Sequence, residues 1–185
     1  RYLIYNDIRG EDWVNRTTNS VTGYSTYQGN QDPSDSYLAN FWVVGYSTIN
    51  RANLFLEGLA ANSTVVPAAL AANYRGEAKF LRALTYFSLV QYFAKPYILD
   101  KGASAGLPLR LKGETSSANN ALARSSVAQV YDQILKDLNE AEDRMKNFRE
   151  NGQILNYYEQ TKALAGKKED CHSQNILVFV EISNG

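Results

Sequence analysis

The chain has 185 residues, of which 44% are hydrophobic and 21% charged, a composition typical of a globular protein with one substantial core. Its 19 Lys and Arg residues balance 19 Asp and Glu residues without any long run of like charge, so nothing favours a nucleic-acid partner. The single cysteine excludes an intrachain disulfide, and no stretch approaches the ~18 apolar residues of a membrane span.

The first 35 residues are rich in Asn, Ser, Thr, Gly and Tyr. The opening RYLIYNDIRGEDWVN could begin as a short helix, but no helical period follows it, so residues 15–35 are predicted to form a long loop. Long loops in compact domains are often functional, which makes this segment the first place to look for a site. No secretory signal opens the chain, so we expect any signal peptide or lipid-anchoring cysteine to lie upstream of Arg1.

Two long helices are predicted next. The first follows Asp35, a plausible N-cap, and its apolar stripe has the three- and four-residue spacing of a helix face: Leu38, Trp42, Gly45, Ile49, Ala52, Leu56 and Leu59. Gly45 costs about 1 kcal/mol relative to Ala inside a helix, which would be offset if another helix packed closely over it. Trp42, on this stripe, is expected to be buried.

The second helix is predicted to begin near Pro67 and to continue through Ala94, over the aromatic stretch RGEAKFLRALTYFSLVQYFAKP. Its apolar stripe contains Phe80, Ala83, Leu84, Phe87, Val90 and Ala94, widened by Leu81, Tyr86, Leu89 and Phe93. Lys79 and Arg82 remain as the main polar side. A helix this apolar around its circumference is usually packed between others, so its aromatic residues are interpreted as core.

The second half of the chain is predicted to contain two further helices and a strand. After an irregular connection, Ser126 and Gln129 form a capping-box pattern at the start of SVAQVYDQILKDLNEAEDRM, and a weaker helix over QILNYYEQTKALA stops at Gly166. NILVFVEI is typical of a strand, and Asn184-Gly185 is a preferred hairpin turn. A strand without its hairpin partner suggests a fragment of a longer chain, or a strand that joins a sheet elsewhere.

The sequence contains no strong catalytic pattern. No G-x-S-x-G, G-x-G-x-x-G or Walker-type lysine loop is present. Cys171 and His172 are adjacent and therefore a weak metal site, so we predict neither a metal nor a cofactor. Acidic residues cluster near Asp7 and Asp12 and on the third long helix, where a glycosidase pair is conceivable but solvated acidic faces are commoner.

Aromatic residues in the polar segment have no helical stripe to bury them. Flat rings beside amide and hydroxyl groups suit ligands with one apolar face and polar edges, a shape that sugars have and peptides have in part. The alternative is that these rings fold the loop onto the helices. We predict a ligand site formed by Trp13, Arg16, Tyr24, Tyr27 and Tyr37.

Several segments together resemble the SusD/RagB family, the surface-exposed outer-membrane lipoproteins of Bacteroidetes nutrient-uptake systems. They are YNDIRGED, YSTINRANLFLEGL, RGEAKFLRALTYFSLVQYFAKPYIL, GLPL and SVAQVYDQILKDLNEAEDRM, in the family's order and approximate spacing. The Gly-Glu-Ala-x-Phe-Leu-Arg-Ala core at residues 76–83 is the most specific of them.

The resemblance implies a mainly α fold of tetratricopeptide-like helix pairs with long irregular loops and a short β-strand near the C-terminus. We expect one SusD-like domain over residues 1–185, the N-terminal part of the family fold, with a loop-rich segment at 1–35, a helical core at 36–166 and the strand at 175–185. Two departures are noted: the strand follows the third long helix almost at once, and the C-terminal part of the family fold is absent.

The resemblance also implies binding rather than catalysis. Family members deliver glycans, or in some cases peptides, to a SusC-like TonB-dependent transporter at the cell outer membrane, where an N-terminal lipid anchor holds them. Because the family's ligand contacts vary, the five site residues rest on local chemistry alone. Two alternatives stay open: a helical-repeat adaptor that binds only protein, and, more remotely, a glycosidase using Asp7 or Asp12.

Overall fold

The structure is a computed structural model, and it describes residues 14, 16–29, 35–142 and 152–167. It is mainly helical, as predicted, with a short α1 (Tyr24–Tyr27), two long helices α2 (Ser36–Ala61) and α3 (Ala68–Phe93), then α4 (Val127–Glu142) and α5 (Gly152–Gly166). Single 3-10 turns occur at Ser20–Thr22 and Tyr97–Leu99. Within these described ranges the only β pairing is an isolated bridge between Ala105 and Ser126; the predicted strand at 175–185 lies outside them.

The chain divides into two compact units. One comprises Arg1–Val44 with His172–Gly185, and the other comprises Gly45–Cys171, so the division falls within α2. The predicted division into a loop-rich segment, a helical core and a strand stays a prediction. None of the helices described is long and apolar enough to cross a membrane.

The predicted starts of α2 and α4 are confirmed by their capping residues. Asp35 accepts a hydrogen bond through Oδ1 from the Tyr37 N–H at 2.8 Å, which satisfies one of the free donors at the start of α2. At α4 the Ser126 N–H donates to Gln129 Oε1 at 2.9 Å and the Gln129 N–H donates to Ser126 Oγ at 3.2 Å. This is the reciprocal capping box that the sequence indicated.

The core of the second unit lies where α3 packs between α2 and α4. The α3 and α4 helices run antiparallel, because Lys79, Arg82 and Phe87 of α3 meet Glu140, Asp137 and Tyr131 of α4 in reverse order. The α5 helix packs on α3 and α4. Fully buried side chains include Ile49, Ala83, Tyr86, Phe87, Leu89, Leu107, Val130, Ile134 and Leu138.

The structure corrects the predicted faces of α2 and α3 at three positions. Arg82, assigned to the polar side, is 6% exposed, whereas Leu81, assigned to the apolar stripe, is 51% exposed. Adjacent helical residues point about 100° apart, and the arginine is the one directed toward the neighbouring helices. Trp42, expected to be buried, is half-buried.

Arg82 is buried because it has partners on both sides. Its Nε and Nη2 donate to the two carboxylate oxygens of Asp137 on α4, each at 2.7 Å, and its Nη1 donates to Asn53 Oδ1 on α2 at 2.6 Å. Such a two-pronged arginine–carboxylate pair restricts both side chains to one geometry. Three helices are therefore joined at one guanidinium group.

Asn53 extends this network to residues 107–114, a segment without regular structure that we call the strap. Its Nδ2 donates to the carbonyl oxygens of Arg110 and Lys112, both at 3.0 Å. Asn50 exchanges two hydrogen bonds with the Glu114 backbone, at 2.9 and 2.7 Å. Side chains of α2 thus satisfy backbone groups of the strap that a neighbouring strand would otherwise satisfy.

Tyr86 of α3 holds the strap from the other side. Its hydroxyl donates to the Arg110 carbonyl at 2.9 Å and accepts from the Arg110 N–H at 2.7 Å. Burial raises the pKa of this hydroxyl from its usual 10.0 to about 12, although the Arg110 N–H lowers it somewhat. The neutral form of Tyr86 is therefore the form that the fold favours.

Replacing Asp137 by Asn should leave the Arg82 charge buried without a counter-charge. We expect a loss of about 3–5 kcal/mol in the free energy of unfolding, measured by urea denaturation. The matched control is Glu140→Gln on the same helix, which removes the ion pair with Lys79 from a side chain that is 39% exposed. That change should cost about 1 kcal/mol or less. Equal losses for both variants would contradict this account of the network.

Two glycines of α2 should respond oppositely to alanine. A Cβ at Gly45 would lie 2.9 Å from both Cδ atoms of the fully buried Leu89, whereas a Cβ at Gly58 would meet nothing within 4 Å. Gly58→Ala should therefore raise stability by about 0.5–1 kcal/mol through helix propensity. In Gly45→Ala the same stabilisation from helix propensity should be offset by the cost of displacing Leu89. A thermal-unfolding comparison tests this, and equal stabilisation would show that Gly45 is not a packing requirement.

Stability should fall at alkaline pH through Tyr86. Because its pKa is about 12 in the folded protein and about 10 when unfolded, its contribution is complete below pH 10 and is lost as the pH rises toward 12. Between pH 10 and pH 12 the free energy of unfolding should therefore fall by about 2–3 kcal/mol less in Tyr86→Phe than in the wild type. Urea midpoints measured at several pH values check this, with Tyr74→Phe, on a partly exposed ring, as the control.

Candidate functional site

The predicted ligand segment contains a short helical turn rather than an uninterrupted loop. The prediction of a loop over residues 15–35 was therefore wrong for Ser20–Thr22 and α1. Both pieces are too short to show a helical period in the sequence. In the Ser20–Thr22 turn, local side chains satisfy the backbone: the Thr22 N–H donates to Asn19 Oδ1 at 3.0 Å, and Thr22 Oγ1 donates to the Asn19 carbonyl at 3.1 Å.

Glycines bound α1 at both ends. Gly23 (φ 68°) precedes the helix and Gly29 (φ 69°) follows it, and both adopt the left-handed conformation that other residues rarely tolerate. The chain can therefore enter and leave this four-residue turn sharply. The turn has two sides, because Thr26 is 2% exposed whereas Tyr27 is 36% exposed.

The structure brings Tyr24 and Tyr27 together. Their ring centroids are 6.4 Å apart and their planes differ by 32°, so the rings lie side by side with a shallow tilt. They stand three residues apart on the turn, a spacing that places side chains on one helix face. We call these two rings the tyrosine pair.

Gln28 adds a polar group at the edge of the pair. Its Nε2 donates to the Tyr24 hydroxyl at 2.9 Å, from an exposed position four residues further along the turn. The amide restricts the Tyr24 hydroxyl and offers further hydrogen-bonding atoms beside the ring. Sequence reasoning missed Gln28, although its i, i+4 relation to Tyr24 would have indicated it once the turn was known.

The other predicted site residues are placed differently. Arg16 is exposed and makes no hydrogen bond or ion pair within the described residues. Tyr37 is half-buried in the first turn of α2, two residues after Asp35. Trp13 lies outside the described residues, as do Asp7, Asp12, Cys171 and His172. The prediction of these five residues as one ligand site therefore stays a prediction.

Asp35 connects the turn to α2. Its Oδ2 accepts a hydrogen bond from Ser25 Oγ at 3.2 Å, while its Oδ1 caps α2 at the Tyr37 N–H. The site therefore combines the exposed ring of Tyr27 and the half-buried ring of Tyr24 with an amide and hydroxyl groups. Among the residues that the structure describes, no group of three or more His, Cys, Asp or Glu side chains could hold a metal ion.

Comparison with known proteins identifies the family. The family model SusD-like, described as starch-binding associating with outer membrane, matches residues 5–166. This match covers most of the chain, so the chain belongs to the SusD-like family. The resemblance seen in its sequence motifs is thereby confirmed.

Individual relatives agree with this assignment. A SusD-like protein of Formosa agariphila is 29% identical over 142 residues, which are 76% of this chain and 25% of the relative. A crystal structure of a SusD superfamily protein from Bacteroides fragilis is 37% identical, with a TM-score of 0.70 over 75% of this chain and 32% of that one. The chain thus spans only about a quarter to a third of the length of these two relatives.

A third relative shows the fold alone. The crystal structure of a putative sugar binding protein from Bacteroides vulgatus is 24% identical, with a TM-score of 0.68 over 92% of this chain and 41% of that one. The helices α2, α3 and α4 thus belong to a fold with solved examples.

Proposed function

We propose that this protein is a non-catalytic subunit that captures glycans at the outer-membrane surface. The observation that carries the proposal is the tyrosine pair with the Gln28 amide at its edge, in a chain of the SusD-like family. Two neighbouring rings offer apolar faces to the C–H side of a sugar, and the amide and hydroxyl groups offer hydrogen bonds to its edge. An oligosaccharide is therefore the favoured ligand, and a peptide is the alternative within the family.

The proposed location rests on the family description, which names starch binding and the outer membrane. The proposed transporter and lipid anchor rest on the resemblance of the sequence motifs to the SusD/RagB family. We propose that a SusC-like TonB-dependent transporter receives the captured glycan, and that a lipid anchor upstream of this chain holds the protein at the membrane. Catalysis is not proposed, because Glu140, from one of the two acidic clusters, is engaged with Lys79, and no paired carboxylates stand beside the tyrosine pair among the described residues.

A second function has one observation in its favour. Phe55 of α2 and Tyr74 of α3 form an edge-to-face pair, with ring centroids 6.3 Å apart, although these side chains are 47% and 37% exposed. Aromatic residues are enriched at protein interfaces relative to the rest of the surface. This surface would serve a helical-repeat adaptor that binds a protein and no small ligand.

One experiment separates the two functions. Binding of malto-oligosaccharides, laminari-oligosaccharides and short peptides is measured by isothermal titration calorimetry for three proteins. These are the wild type, Tyr24→Ala/Tyr27→Ala and the matched control Phe55→Ala/Tyr74→Ala. If the capture proposal holds, an oligosaccharide binds the wild type, and loss of the tyrosine pair weakens its Kd about tenfold or more, since burying one such side chain contributes about 1.5–3 kcal/mol.

The control pair should leave that Kd unchanged. Equal weakening in both double variants would indicate general unfolding, which circular dichroism would show directly. A wild type that binds none of the sugars, or binds them equally well without the tyrosine pair, contradicts the proposed site. Release of reducing sugar by the pure protein would contradict the non-catalytic role.

A further inference from the structure

The tyrosine pair stands on a turn that cannot be stable by itself. A helix of four residues is far shorter than the ~12–15 residues at which isolated helices become even marginally stable in water. Its own backbone bonds are the Tyr27 N–H to the Gly23 carbonyl at 2.9 Å and the Gln28 N–H to the Tyr24 carbonyl at 3.0 Å. The orientation of the two rings therefore depends on contacts that tie this turn to something larger.

On its N-terminal side the turn makes hydrogen bonds within its own neighbourhood. The Tyr24 N–H reaches the Asn19 carbonyl at 3.4 Å, and Asn19 in turn accepts from Thr22. These contacts shape the entry into α1 without joining it to a long helix. The turn is also connected to α2, a helix of 26 residues.

Asp35 supplies that connection through its two carboxylate oxygens. One oxygen accepts from Ser25 Oγ at 3.2 Å, and the other accepts from the Tyr37 N–H at 2.8 Å. The Asp35 carbonyl also accepts the Ala39 N–H at 3.0 Å, the first backbone bond of α2. An ionised carboxylate makes such bonds stronger than a neutral acceptor does. The Asp35 side chain thus joins the start of α2 to Ser25, which lies between the two rings of the tyrosine pair in the sequence.

We propose that Asp35 is the positioning residue of the tyrosine pair. The benefit to ligand binding rests on the proposed glycan-binding function, whereas the first test below needs no ligand. The carboxylate holds α1 against the start of α2 through Ser25, while Gln28 restricts the Tyr24 hydroxyl. Asp35 itself does not touch the sugar. It acts by reducing the freedom that the two rings would lose on binding, which improves affinity without a new contact.

Substitutions at Ser25 and Asp35 separate this role from helix capping. Ser25→Val removes the hydroxyl, whereas Ser25→Thr keeps it in a side chain of the same shape as valine. Asp35→Ser keeps a good N-cap for α2, but a single hydroxyl cannot accept hydrogen bonds from both the Tyr37 N–H and the Ser25 hydroxyl as the two carboxylate oxygens do. The proposal predicts that Ser25→Val and Asp35→Ser have the same effect, that Ser25→Thr restores wild-type behaviour, and that the double variant is no worse than either single one.

The first readout does not need a ligand. Amide hydrogen exchange is followed by NMR at Tyr27 and Gln28, with fluorotyrosine spectra reporting the Tyr24 and Tyr27 rings. We expect exchange about two- to tenfold faster in Ser25→Val and Asp35→Ser, together with changed ring signals, while Ala39 at the start of α2 remains as protected as in the wild type in Ser25→Val. Unchanged exchange and ring signals in both variants would overturn the proposal.

The second readout is the Kd for malto-oligosaccharides, which should weaken by the same factor in Ser25→Val and Asp35→Ser. A loss in Asp35→Ser that clearly exceeds the loss in Ser25→Val would overturn the positioning role in favour of direct contact. If the wild type binds no sugar, the proposed function fails, but the exchange measurements still decide whether Asp35 holds the turn.

Discussion

The buried guanidinium group of Arg82 is the point on which the helical unit depends. It lies on α3 beside fully buried side chains such as Ala83 and Tyr86, and a charge in such a place is tolerated only when it is paired and hydrogen-bonded. Asp137 supplies the counter-charge from α4, and Asn53 supplies the remaining acceptor from α2.

Because Asn53 also binds the carbonyl oxygens of Arg110 and Lys112, one network aligns three helices and orders the strap at residues 107–114. Tyr86 completes it with two further bonds to Arg110.

Much of this fold could be predicted from residue patterns. The periodic apolar stripes, the Asp35 cap and the Ser126/Gln129 capping box locate α2, α3 and α4, and Gly45 correctly indicated a close helix approach at Leu89. The Arg82 network could not be predicted in the same way, because an arginine beside a lysine on a helix normally faces water, and its partners lie 29 and 55 residues away. Long-range polar pairing leaves no periodic signal in the sequence.

The candidate site, too, could be predicted only in part from the sequence. Aromatic residues in a polar segment indicated a ligand surface, and the structure does bring Tyr24 and Tyr27 side by side. The turn that carries them is held by a left-handed glycine at each end and by the Ser25–Asp35 bond, features that follow from backbone conformation rather than from hydrophobic period. Capping by Asp35 was visible in the sequence, whereas its second bond was not, since nothing in the order of residues places Ser25 beside it.

The central functional claim is that a glycan lies against the tyrosine pair. It is tested most directly by recording amide NMR spectra of the protein during titration with malto-oligosaccharides, so that each residue reports its own contact. We expect saturable shifts that are largest at residues 24–28, with the strap and the Phe55/Tyr74 surface unaffected. Saturable shifts centred on the Phe55/Tyr74 surface or on the strap, with residues 24–28 unchanged, would contradict it.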